Sequence, residues 1–398
     1  MDFRLTPEQE TLKKEFDEFF REEMKNAPPG WVSGMESLFS EEGFSFHRQI
    51  AKKLIKKGWL VRHWPKEYGG QDAPIIEQLL FSEAMGYHRA VGVDPWGIYL
   101  LAPTLLAVAS EEQKREHLPL MARAERFWCQ GWSEPNAGSD LAALTTRAVR
   151  DGDDYIINGQ KTWTSGAQYA DWMFMLARTN PEEKRSRGLS YFLLDLKAPG
   201  ITLRPIYGMD GSYMFNEVYF DDVRVPARNM VGEENEGWAI TRATMNFERS
   251  NVGMMVGTKR DLEELVGFCK ETKRNGKTLA ENPFVRHRLA QLAIDIEVGH
   301  AMSYRIAWLQ EKGGLIAAAA AASAAKVYGS ELAQRFAYAG GQILGLYGQV
   351  KKGSKWAPLM GKFEHLYQFF PGMNIGGGSS EIQRNLIAWI GLGLPRTI

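Results

Sequence analysis

Between about Phe127 and Gly237 the sequence changes texture, and that change limits the folds open to the chain. On either side, apolar residues recur at helical spacing. Within it, short β-branched and aromatic runs alternate with turns: Tyr155–Ile157, Trp172–Leu176, Leu189–Leu194 and Glu217–Val225. The order helical, all-β, helical predicts an α+β multidomain chain. It has an N-terminal helical domain over 1–126, a middle β-barrel or sandwich domain over 127–236 and a C-terminal helical domain over 237–398.

The N-terminal part opens on a capping signal. Thr6 precedes Pro7, and Gln9 completes a capping box; Leu12, Phe16, Phe19 and Phe20 follow at helical spacing. Pro28-Pro29-Gly30 interrupts the pattern, and periodicity stays weak through Phe44. Helices are then expected over Ile50–Lys57, Gln78–Met85, Pro103–Ala109 and Glu111–Ala124, with a turn at His63–Gly70. Beyond Trp238 the almost pure alanine run Leu315–Lys326 reads as a buried helix–helix seam, because alanine forms helix best and lets helices approach closely. Glycine-rich breaks are expected at 340–348 and 372–378.

Charge is balanced at 48 basic and 48 acidic residues, which argues against nucleic acid as a partner. Cys129 and Cys269 define no disulfide framework, and the scattered histidines match no zinc spacing, so no metal is expected. The charged start, MDFRLTPEQETLKKEF, is no secretory signal, and no segment is apolar for long enough to span a membrane. A soluble, cytoplasmic protein is the expectation.

The most informative loop is Trp132-Ser133-Glu134-Pro135-Asn136-Ala137-Gly138-Ser139-Asp140. Pro135 fixes one backbone angle, Gly138 permits close approach, and Ser133 and Ser139 offer hydroxyls beside free backbone N–H groups. Such a loop can cradle a phosphate or a flat polar ring, or it can be a plain strand-entry turn. A second stretch, Ile157-Asn158-Gly159-Gln160-Lys161-Thr162-Trp163-Thr164-Ser165, follows at a fixed separation. No G-x-G-x-x-G or Walker loop is present; Gly276-Lys277-Thr278 lacks the upstream glycine.

Together WSEPNAGSD and INGQKTWTS resemble the TEPxxGSD-like loop and INGxKxWxT-like strand of the acyl-CoA dehydrogenase family. The HWPKEYGG turn and the closing strand FDDVRVP extend the resemblance along nearly the whole chain. It implies that family's three-domain fold, ending in a four-helix bundle. It also implies FAD as cofactor, an acyl-CoA substrate and an electron-transfer flavoprotein as electron acceptor. Carried over residue by residue, the implied FAD contacts are Gln130, Trp132, Ser133 and Ser139 from the loop, and Trp163 and Ser165 from the strand. Ser379 and Glu381 add contacts from the C-terminal turn, and Gln342 and Gly345 reach the FAD of a neighbouring subunit in a homotetramer. Ser139, Asn246 and Arg249 match CoA-binding positions. The usual cross-subunit R-x-x-F-G appears as Thr272-Lys273-Arg274-Asn275-Gly276, without its Arg and Phe; Lys273 or Arg274 is the substitute on offer.

The implied reaction removes an α-proton and a β-hydride from an acyl thioester. It needs a positioned carboxylate and donors to the thioester oxygen. Where many members carry the base, this chain has Gly377, whose N–H still serves as an oxyanion donor in the family's arrangement. The family's second location, on the first helix of the C-terminal domain, matches Glu248. On the face through Thr241, Met245, Glu248, Val252 and Met255 it is the one carboxylate, and desolvation would raise its pKa. The alternative is a buried Glu248–Arg ion pair. Glu381 is the other candidate base, although its place in a first helical turn also suits a capping role.

The acyl group is expected to be branched, alicyclic or aromatic, including the benzylsuccinyl-CoA type, because Gly377 leaves room there. Two other functions share these features: a flavin-dependent monooxygenase on the same fold, and a non-catalytic acyl-CoA-binding subunit.

Overall fold

The computed structural model describes residues 3–32, 37–183, 185–247 and 252–396, and for Asn246, Phe247, Val252, Leu315 and Ile316 the backbone alone. Helices α1 (Pro7–Glu23), α2 (Glu41–Lys56), α3 (Ile75–Tyr87), α4 (Ala102–Val108) and α5 (Glu111–Ala122) precede the strands. These are β1 (Trp128–Gly131), β2 (Arg147–Asp151), β3 (Asp154–Lys161), β4 (Trp172–Arg178), β5 (Leu189–Asp195), β6 (Ile201–Tyr207), β7 (Tyr213–Pro226) and β8 (Met230–Val231). Then follow α6 (Gly237–Phe247), α7 (Val252–Glu271), a hairpin of β9 (Lys273–Arg274) and β10 (Lys277–Thr278), α8 (Pro283–Glu311), α9 (Leu315–Leu344), α10 (Lys362–Met373) and α11 (Ser380–Leu386). Packing gathers them into two compact units, a sheet unit of residues 35–73 and 91–248 and a helical unit of residues 1–34, 74–90 and 249–398.

In the sheet unit, β1 to β8 form one sheet in the order β6-β7-β3-β2-β4-β5-β8, with β1 on β4. β4 is parallel to β1 and β2, and the other pairs are antiparallel. Strands β4 and β5 are buried along almost their whole length. This explains why they read as continuous apolar runs rather than as alternation. Edge strand β6 is mostly exposed and tolerates Pro205, which has no N–H to give a further strand.

Asp94 sets where β1 begins. The fully buried Asp94 carboxylate accepts hydrogen bonds from the N–H groups of Trp96 and Gly97, both at 3.0 Å, and of Trp128 at 2.9 Å. With no cation paired to it among the described residues, burial pushes its pKa up to about 7, against the pull of those three donors. Helix α2 starts nine residues before the expected Ile50: Ser40 caps it by accepting from the Gly43 N–H at 3.0 Å, and Phe46, Ile50 and Leu54 supply its buried face. Glu41, Glu42 and Gly43 open it without an apolar stripe, so the apolar pattern alone marks the second half most clearly.

In the helical unit, α1 starts on the expected capping box, Thr6 and Gln9 exchanging both bonds. Helices α3 and α7 approach closely at Gly86 and Gly253; a β-carbon on Gly86 would lie 2.5 Å from the Gly253 carbonyl oxygen. Beside this contact Arg89, Asp261, Glu264 and Lys362 form a largely buried ion network, with Lys362 to Asp261 at 2.8 Å and Arg89 to Glu264 at 2.9 Å. The alanine run begins α9 as expected, with Ala321, Ala322 and Ala325 buried against Ile306 of α8. One expected break is displaced: Gly340 and Gly341 lie inside α9, which continues to Leu344. Gly340 is there because the Phe363 ring of α10 occupies the space of a side chain, 1.9 Å from where its β-carbon would be. Among the described residues no helix is long and apolar enough to cross a membrane, and no cluster of His, Cys, Asp and Glu is placed to hold a metal ion.

Candidate active site

In the sheet unit, the loop 132–140 hangs between β1 and a short turn at Leu141–Ala143. Its shape is set from beneath by Glu134 and Lys161, which are 5% and 0% exposed and 2.8 Å apart. Glu134 also accepts from the Thr145 N–H (2.6 Å) and hydroxyl (2.9 Å) and from the Thr146 N–H (2.9 Å), and Lys161 donates to the Trp132 carbonyl at 3.2 Å. The start of the loop is thereby fastened both to β3 and to the segment at Thr145 and Thr146 that follows the loop. Burial opposes the charge on Glu134, but the Lys161 ammonium and the threonine donors outweigh it and hold the carboxyl down at about 2. Burial lowers the Lys161 ammonium to about 8 in spite of Glu134. Neither residue was singled out from the sequence. The available signal was Lys161 sharing the inward face of β3 with Tyr155 and Ile157, where a charge needs a partner.

The expected FAD residues of this unit cluster around that loop. Trp132 is buried edge-on against Phe174, while Gln130 is half-buried in β1. The Thr162 N–H donates to the Ser133 carbonyl at 2.9 Å, which brings the end of β3 beside the loop. Immediately beyond, Trp163 takes φ +58 and is 59% exposed, an unusual combination for a large aromatic residue. The bonds from Thr164 N–H to Asn216 O and from Gly166 N–H to Met214 O, both 3.0 Å, impose it. Ser165 is half-buried, and Phe39 and Trp96 pack against Gly166. Ser139 is exposed at the loop's far end, and a β-carbon on Gly138 would meet nothing within 4 Å.

Gly377, Ser379 and Glu381 lie together in the helical unit, at the turn before α11. Gly377 and Gly378 adopt φ +65 and +82. The Gly377 carbonyl accepts from Gln383 Nε2 at 2.9 Å and the Gly378 carbonyl from Lys326 Nζ at 2.8 Å. In a trans peptide the N–H points away from its carbonyl, so these bonds also direct the N–H groups of Gly378 and Ser379. Ser379 caps α11 through the Ile382 N–H at 3.3 Å. Glu381 is exposed in the first turn, where the local backbone N–H and the Ser379 hydroxyl hold its pKa below the usual carboxylate value.

Gln342 and Gly345, at the end of α9, meet the β9–β10 hairpin in the same unit. Asn275 and Gly276, at φ +51 and +80, form its tight turn, an Asn-Gly hairpin signal legible in the sequence. Arg274 donates to the Leu344 carbonyl at 2.6 Å and lies over Gly345. Arg274 and Gln342 line one groove of about 650 Å³ with Phe284 and Arg288. Of the two basic substitutes for the missing motif Arg, Arg274 is the one brought to Gln342. Glu248 and Arg249 lie outside the described residues, as does the side chain of Asn246, whose backbone is helical in α6.

Models of the N-terminal, middle and C-terminal domains of acyl-CoA dehydrogenases match residues 6–125, 129–223 and 235–391. The chain belongs to the acyl-CoA dehydrogenase family. It is 37% identical over 397 residues to acyl-CoA dehydrogenase FadE26 of Mycobacterium tuberculosis, covering 98% of each chain. Among solved structures it resembles the ChsE4-ChsE5 complex from Mycobacterium tuberculosis (TM-score 0.87, 36% identity) and the Tcur3481-Tcur3483 steroid ACAD (TM-score 0.89, 32% identity), each over the full length of both chains.

This acyl-CoA dehydrogenase is thus an oxidoreductase acting on acyl-CoA, and its cofactor is FAD. The sheet unit suits that cofactor. The hydroxyls of Ser133, Ser139 and Ser165 make no side-chain hydrogen bond among the described residues, the Trp132 indole N–H and Thr164 hydroxyl are buried without a partner, and Trp163 presents a bare ring. Polar donors around an exposed aromatic face match the polar edge and apolar face of an isoalloxazine.

Proposed function

We propose that this acyl-CoA dehydrogenase desaturates the CoA thioester of a bulky alicyclic acid of the steroid type, with Glu248 as the base. The carrying observation is the pair of rings, Phe39 and Trp96, that pack at Gly166, next to Ser165 and beyond the cofactor-facing Trp163. These two rigid rings beside the cofactor residues favour a ring-bearing acyl group over a flexible chain. One structural relative is a steroid ACAD, which points the same way. So does Gly377, which carries no side chain where many members place the base.

In this reading Glu248 takes the α-proton, and the Gly377 N–H holds the thioester oxygen as negative charge develops on it. Ser139, Asn246 and Arg249 hold the CoA moiety. FAD, when bound, supplies the hydride acceptor, and the product is a 2-enoyl-CoA. Glu381 is left as a cap beside the cofactor, because a carboxylate with a lowered pKa is the weaker base. Gln130, Trp132, Ser133, Ser139, Trp163, Ser165, Ser379 and Glu381 contact the cofactor of their own subunit, and Gln342, Gly345 and Arg274 that of a neighbour. We assign the three domains to 1–126, 127–236 and 237–398, a homotetramer as the working assembly, an electron-transfer flavoprotein as acceptor and the cytoplasm as location. Because one structural relative is a complex of two differently named chains, assembly with a second, related subunit is the competing arrangement. Light scattering on the chain expressed alone separates the two.

The test is an anaerobic titration with straight-chain, branched, alicyclic and aryl-containing acyl-CoAs, watching the flavin absorption band. Ring-bearing thioesters are expected to bleach it fastest. Glu248→Gln should retain FAD and lose on the order of 10²–10⁴-fold in reduction rate, the usual contribution of a general base. Full activity in that variant would remove Glu248 from the role. Bleaching by straight chains alone would overturn the substrate class.

A further inference from the structure

Arg178 closes β4, and its guanidinium donates five hydrogen bonds, all to backbone carbonyls. Nε reaches Leu144 O at 3.1 Å, Nη2 reaches Ala142 O at 2.9 Å and Arg185 O at 3.0 Å, and Nη1 reaches Glu183 O at 3.2 Å and Arg187 O at 3.1 Å. A guanidinium has five N–H donors, so its capacity is filled. Its backbone N–H donates as well, to Thr146 O at 2.7 Å. No carboxylate lies within ion-pair distance among the described residues, and burial lowers its pKa, with Glu134 acting against. The charge is thus held by carbonyl dipoles from two separate segments: the turn that directly follows Ser139-Asp140, and the excursion 179–188 between β4 and β5.

We infer that Arg178 is a positioning residue for the cofactor. It locks the 179–188 excursion as a brace behind the turn 141–146, and so fixes where Ser139 and its loop stand. This rests on the reading that the 133–139 loop holds the flavin. Glu134 fastens the loop from beneath, and Arg178 fastens its exit. No other residue type can do this, since lysine offers three donors from a single point and no planar fork. The base of the excursion is closed by the N–H groups of Thr179 and Asn180, which donate to the Gly188 carbonyl, and the Arg178 bonds to the carbonyls of Glu183, Arg185 and Arg187 tie its outer part to the turn after the loop.

The experiment uses the full chain as Arg178→Lys, Arg178→Met and, separately, Ser133→Ala. Each apoprotein is titrated with FAD, melted, and treated with trypsin with and without FAD. Arg178→Lys is expected to keep the fold and weaken FAD binding on the order of tenfold or more, the scale on which outer contacts support metal sites. FAD should slow cleavage after Arg185 and Arg187 in the wild type and no longer do so in the variant. A lowered melting temperature with unchanged FAD affinity and intact protection would overturn the inference, leaving Arg178 a purely structural residue. If Ser133→Ala weakens FAD binding and neither Arg178 variant does, the brace fails while the loop reading stands. If none of the three weakens it, the loop reading fails and takes the brace with it.

Discussion

Glu134 and Lys161 show how one buried pair can matter more than the residues it supports. Removing one partner strands a charge in a site with almost no solvent, which typically costs about 3–5 kcal/mol, whereas replacing both with neutral side chains of similar size costs far less. Lys161→Met and Glu134→Gln should each lower the urea midpoint strongly, and the double variant should recover most of the loss. Equal losses in all three would show that the pair contributes through packing alone. The pH dependence has a definite sign. The Glu134 pKa is held down at about 2 in the fold against the ordinary 4.5 of a free glutamate, so its contribution is complete above 4.5 and lost as pH falls towards 2. Acid titration of the double variant should lack that part of the slope. At this scale the sequence was half legible: the hydroxyls and rings of the loop stood out because their type matches a known pattern. Glu134, Lys161 and Arg178 did not, because their importance lies in what they touch.

Elements were read best where one physical signal dominates. The capping box at Thr6 and the alanine seam of α9 both stood as expected, while α2 began earlier and α9 ran further. The α2 start rests on a local Ser40–Gly43 cap that apolar periodicity does not show, whereas Gly340 inside α9 faces a ring, Phe363, that comes from elsewhere in the chain. Gly340 and Gly341 separate the two meanings of a helical glycine. Gly340→Ala drives a β-carbon into the Phe363 ring and should destabilise the α9–α10 packing by about 1–3 kcal/mol. Gly341→Ala meets nothing within 4 Å and should stabilise by ~0.5–1 kcal/mol, through helix propensity and a less flexible unfolded chain. Thermal melts of the two variants shifting in the same direction would contradict this account.

At the scale of the molecule, the helical–β–helical order was legible from periodicity, but the grouping of the chain into units was not. The helical unit takes 74–90 from the middle of the N-terminal half, because Gly86 admits Gly253 and Arg89 completes the network with Asp261, Glu264 and Lys362. No local pattern announces contacts made across more than 150 residues. A fragment of residues 249–398 alone should therefore keep helical far-UV dichroism, lose near-UV signal and bind a hydrophobic dye, since two buried carboxylates would face Lys362 without Arg89. Co-expression with residues 1–90 should restore near-UV signal. A fragment that folds natively by itself would show that α3 adds nothing essential.

The turn at Gly377 has one more consequence, for the placing of the catalytic base. Under the proposed assignment, this chain carries its catalytic carboxylate at Glu248 and has glycine where many family members carry theirs. At φ +65 that glycine sits in a conformation that an L-residue adopts only at about 1–2 kcal/mol. Gly377→Glu would therefore load that cost onto the very peptide that holds the thioester oxygen. A carboxylate and a relaxed oxyanion donor compete for this one position, and moving the carboxylate elsewhere leaves the donor undisturbed.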